Sequence, residues 1–87
     1  MNAPINDLLR AVELALAEDW EAAHNLVQQY EDDATGAWIH AVLHKIEGDL
    51  SNSRYWYQRA NRLEHFNDDP RAELTGIQAQ LRSRLSK

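Results

Sequence analysis

Eighty-seven residues with 44% apolar side chains make one small domain with a thin core, since twelve of the apolar positions are alanine. Without cysteine the chain has neither disulfides nor thiolate metal sites, and three glycines and two prolines are too few for the tight turns of a sandwich or barrel. A net charge of −5 argues against a general nucleic-acid or anionic-membrane binder, because both need a basic surface.

The charge is unevenly spread. Residues 1–49 carry ten acids against Arg10 and Lys45, whereas residues 50–87 carry four acids against seven bases. Such polarity suits an antiparallel two-fold dimer or internal neutralisation, the second being the simpler reading. Met1-Asn2-Ala3-Pro4 lacks the basic start and apolar stretch of a signal peptide, and no apolar run approaches the roughly 18 residues of a bilayer span. The expectation is a soluble, cytoplasmic protein.

In chain order the periodicity is helical throughout. Asn6 reads as an N-cap, followed by Leu8, Val12 and Leu16 at i, i+4, i+8, in a helix that runs to about Glu18. Asp19 is both linker and cap for a second helix over 20–30, with Ala23, Leu26, Val27 and Tyr30 on one side. Glu31 to Gly36 form a solvated acidic loop, too short and too closely spaced in its acids for a calcium loop. A third helix over 36–47 stops at Gly48, and a fourth covers 52–64. Its inward stripe is Trp56, Ala60 and Leu63, with Ser53 and Tyr57 beside it. Asp69-Pro70 starts a fifth helix carrying Leu74, Ile77, Leu81 and Leu85. The fold class is all-α: a hairpin over 6–30, a second over 36–64, and a capping helix over 70–85.

Shifting the chain by 30 places Ala11 on Ala41, Asp19 on Asp49, Ala23 on Ser53 and Val27 on Tyr57. Both copies have a small residue in mid-helix, an acidic turn, a small residue opposite and then a bulky one. This pattern, and the stretch Gly48-Asp49-Leu50-Ser51-Asn52-Ser53-Arg54-Tyr55-Trp56-Tyr57-Gln58-Arg59-Ala60 above all, resembles the tetratricopeptide and Sel1-like helical-hairpin repeats. The first copy departs from it by carrying Glu18 where the turn glycine belongs, and the period is shorter than the family's. Trp38 to Asp49 followed by Tyr55-Trp56-Tyr57 is also similar to a family of small uncharacterised bacterial proteins, a resemblance that implies no reaction. What the repeat resemblance implies is a non-enzymatic interaction module that binds a protein segment or a second copy of itself.

Two constellations carry candidate chemistry. His40, His44 and Glu47 stand at i, i+4 and i+7, on one face of the third helix. Two imidazoles and a carboxylate can ligate a divalent metal, but positions 41–43 are Ala, Val and Leu, without the glutamate that metalloprotease chemistry needs. No further histidine is near in sequence, since His24 and His65 lie on other helices. The expectation is therefore structural: rings hydrogen-bonded between helices, to Tyr57 or a backbone carbonyl, with no metal and no cofactor. Tyr55, Arg59 and Arg62 form the second set, at i, i+4, i+7 on an exposed face of the fourth helix. A hydroxyl beside two guanidiniums can grip a carboxylate, or serve as an ordinary cation–π and ion-pair surface. With Arg54 the set also suggests a stacking platform for single-stranded nucleic acid, against which the acidic total speaks. Trp20 and Trp38, near helix starts, read as packing staples. The alternative to an interaction module is a small-ligand or metal-binding protein, with or without catalysis, centred on His40, His44, Glu47 and Tyr55.

Overall fold

The computed structural model describes residues 3–86. Five helices follow one another: α1 (Ile5–Leu16), α2 (Trp20–Val27), α3 (Ala34–Glu47), α4 (Leu50–Ala60) and α5 (Pro70–Leu85), with single 3-10 turns at Gln28–Tyr30 and Leu63–His65. No strand occurs among the described residues, so the fold is all-α. Among them, too, no helix is long and apolar enough to cross a membrane.

The helices pair as antiparallel hairpins, α1 with α2 and α3 with α4, while α2 packs on α3 and α5 closes over α1 and α3. In α1 the buried residues are Leu8, Ala11, Val12 and Ala15, one stripe at i, i+3, i+4, i+7. By contrast α3 is buried continuously from Gly36 to Leu43, because it lies among the other helices instead of at the surface. Alanines at 11, 15, 23, 37, 41 and 60 are all buried, and their small size lets the helices approach closely.

The shift of 30 is visible in the backbone. Glu18 (φ 66°) and Gly48 (φ 84°) both take the left-handed conformation. After each, the same bond returns: the Asp19 N–H donates to the Leu14 carbonyl at 2.9 Å, and the Asp49 N–H to the His44 carbonyl at 3.0 Å. The next helix then opens alike, with Ala23 donating to the Asp19 carbonyl and Ser53 to the Asp49 carbonyl. Behind the second turn the Ser53 hydroxyl donates to the Ala41 carbonyl at 2.8 Å, tying α4 to α3 at a buried point.

Several boundaries differ from the sequence expectation, each for a local reason. The N-cap of α1 is Pro4 and not Asn6; its extended backbone places its carbonyl to accept from Asp7 and Leu8. The acidic run is not uniformly solvated. Asp33 is only 7% exposed, and its carboxylate accepts the N–H groups of Gly36 (2.8 Å) and Ala3 (3.1 Å), starting α3 two residues early. Gly36 is required there, since a Cβ would lie 2.5 Å from the Tyr30 carbonyl oxygen. At the far end, α4 stops at Ala60 because Asn61 turns left-handed (φ 58°) and Arg62 N–H closes on the Tyr57 carbonyl at 2.9 Å. Leu63 thereby leaves the inward stripe and is exposed. In α5, Asp69 caps Ala72 and Pro70 takes the first turn; Leu74, Ile77 and Leu81 are buried while Leu85 is exposed.

Candidate functional site

Three imidazoles meet between α2 and α3. His40 and His44 are one turn apart on α3, so their rings stack, with centroids 4.8 Å apart at 21°. α2 contributes His24, which follows Ala23 at the edge of the buried Ala23/Val27 face and so meets α3 sideways. Its ring centroid lies 4.7 Å from that of His40 and 5.2 Å from that of His44. One donor nitrogen from each of the three falls within 4.8 Å of the other two, and no carboxylate belongs to the group. The Nε2 atoms of His24 and His40 are 2.9 Å apart, one ring donating its N–H to the other. The expectation of a bond to Tyr57 is corrected: the Tyr57 hydroxyl donates to Glu73.

The surroundings fix these rings and disfavour the charged forms of His40 and His44. His40 is 3% exposed and has Trp56 stacked on its face at 4.1 Å, with the Arg59 guanidinium 5.0 Å from the indole on the same residue. Burial, then the fields of His24 and His44, lower the His40 pKa from 6.5 to about 3. At neutral pH its nitrogen lone pair is therefore free of proton competition. Burial also lowers His44, opposed by Glu47 and Asp49 and reinforced by His24. Both rings hold a buried Nδ1 without a hydrogen-bond partner, and Asp49 approaches that of His44 only to 4.0 Å. Unsatisfied buried polar atoms on two adjoining rings are costly in a protein interior.

The other expected residues lie elsewhere. Glu47 is exposed at the end of α3, outside the imidazole group; with Trp20, Glu21 and His24 it lines a cavity of about 390 Å³. Tyr55 is exposed, and its hydroxyl accepts from Arg59 at 3.2 Å; Arg59 also pairs with Asp32 at 3.3 Å. Arg62 is not on that face, because the left-handed Asn61 carries it off α4 and over the Trp38 ring at 5.0 Å. His65 is likewise remote from the cluster, stacked on Trp38 and bonded to Asp68 at 2.7 Å.

A second buried polar centre escaped the sequence reading. The Glu73 carboxylate, 1% exposed, accepts from Trp38 Nε1, the Tyr57 hydroxyl and Lys45 Nζ, each at 2.7 Å. Lys45 Nζ also donates to the carbonyls of His65, Phe66 and Asp68, pinning the segment before α5. Burial, with Glu73 second, raises the Tyr57 pKa, so the phenol stays protonated and donating. Every member of this network has a partner, which makes it a structural tie joining α3, α4 and α5.

Comparison with family models, curated proteins and solved structures finds no match for this chain in any of the three.

Proposed function

We propose that this is a helical protein that binds one divalent transition metal through His24, His40 and His44. The observation that carries the reading is the convergence of three imidazole nitrogens within 4.8 Å of one another, drawn from two helices and partly buried. Zinc and its neighbours prefer imidazole donors, with Zn–N near 2.0–2.1 Å, which places tetrahedral nitrogens about 3.3 Å apart. The 2.9 Å between His24 and His40 is close to that spacing, and a metal would replace the shared proton without refolding either helix. Trp56 stacked on His40 holds that ring in its orientation. No reaction is part of this proposal. Equilibrium dialysis against zinc tests it. One zinc per chain is expected, falling to background in His24→Ala; zinc retained by that variant, or none in the wild type, would contradict it.

A second reading, an interaction module for a protein segment or a second copy, draws on Tyr55 and Arg59. They form an exposed, mutually hydrogen-bonded pair on α4 beside Asp32. Sedimentation at low and high salt tests it. Association that salt and Arg59→Ala both weaken supports the reading, and a monomer at high micromolar concentration in low salt defeats it.

A further inference from the structure

We propose that the metal's fourth ligand is an exchangeable small neutral donor, admitted through the cavity beside His24, and that Glu21 and Glu47 at its rim select against anions. The inference rests on the three-histidine reading. A four-coordinate metal with three protein ligands keeps one corner for a ligand from outside, and the donor group here contains three imidazoles and no carboxylate. The cavity beside His24 offers a route to the cluster. Trp56 covers His40, which is nearly fully buried, whereas His24 is half-buried and opens onto a cavity of about 390 Å³. That volume is more than a water molecule needs and suits a ring of imidazole size.

The chemistry of the rim sets the preference. Besides His24 the cavity is lined by Trp20, an apolar wall, and by the carboxylates Glu21 and Glu47, both exposed. Three neutral imidazoles leave the metal's charge at +2, and two rim carboxylates oppose the entry of a further negative charge. They leave a neutral nitrogen or oxygen donor unaffected. Because both are exposed and screened, the effect is several-fold and not absolute.

The test uses cobalt(II) as the bound metal, whose visible spectrum reports its ligands, and imidazole and azide as probes. In the wild type each probe is expected to change the spectrum saturably. In the double variant Glu21→Gln/Glu47→Gln, azide should bind roughly three- to tenfold more tightly, while imidazole stays within about twofold. A spectrum that ignores both probes means that a side chain of the protein closes the fourth position, and overturns the proposal. So does an azide affinity unchanged in the double variant. The absence of any cobalt spectrum in the wild type is a different failure, and it defeats the three-histidine reading itself.

Discussion

His40 has Trp56 on one face, His44 one turn along its own helix and His24 across the junction with α2, and burial with the fields of the two histidines disfavours its protonated form. Its folded-state pKa, about 3, lies far below the unfolded value near 6.5, so the unfolded chain takes up the proton first. The contribution to stability is therefore complete above about pH 6.5 and is lost as pH falls from there toward 3. Its slope reaches about 1.4 kcal/mol per pH unit. Urea melts at pH 7.5, 5.5 and 4.5 are expected to show this loss, and His40→Leu should remove that part of the slope. An unchanged slope in the variant would mean that other groups carry it. Of the site, sequence spacing made His40 and His44 legible, because i, i+4 on one helix is a local relation. His24 was not legible in this way, since its approach depends on how α2 packs on α3.

Among the elements, the two hairpin turns offer a matched comparison. Glu18 and Gly48 occupy the same left-handed position 30 residues apart, and only one is the residue type for which that conformation is free of strain. Glu18→Gly is expected to stabilise the protein by about 1 kcal/mol, and Gly48→Ala to destabilise it by about as much. An added Cβ at position 48 meets nothing within 4 Å, so the second effect is purely conformational. Denaturant midpoints at constant m-value measure both changes. These turns were readable as a Gly-Asp and its Glu-Asp echo, and α5 from Asp69-Pro70 and its apolar spacing. The end of α4 was not. Asn61-Arg62-Leu63 continues the apolar period of α4, and only the left-handed Asn61 diverts Arg62 and Leu63 from the expected faces. Asp33 was misread for a related reason: an acid in a polar run looks solvated until its carboxylate is found capping α3.

Two polar devices hold the whole molecule together in different ways. The Glu73 network joins α3, α4 and α5 and is fully satisfied within the chain. Glu73→Ala would leave the Lys45 ammonium buried without its carboxylate, and is expected to cost about 3–5 kcal/mol, close to the total stability of a domain this small. Glu73→Gln, which keeps part of the hydrogen bonding, should cost less, and urea melts of the two variants check the order. The histidine cluster instead joins the first hairpin to the second across α2 and α3, and it leaves two buried nitrogens without partners. A metal held by one nitrogen of each ring would link the two hairpins. The most direct measurement is the melting temperature of wild type and His24→Ala, each with zinc and with chelator. Zinc at about one hundred times its Kd is expected to add about 2.7 kcal/mol to the wild type, raising its Tm by about 10 °C or more, and to leave His24→Ala unchanged. A wild-type Tm indifferent to zinc, or an equal rise in His24→Ala, would contradict the account.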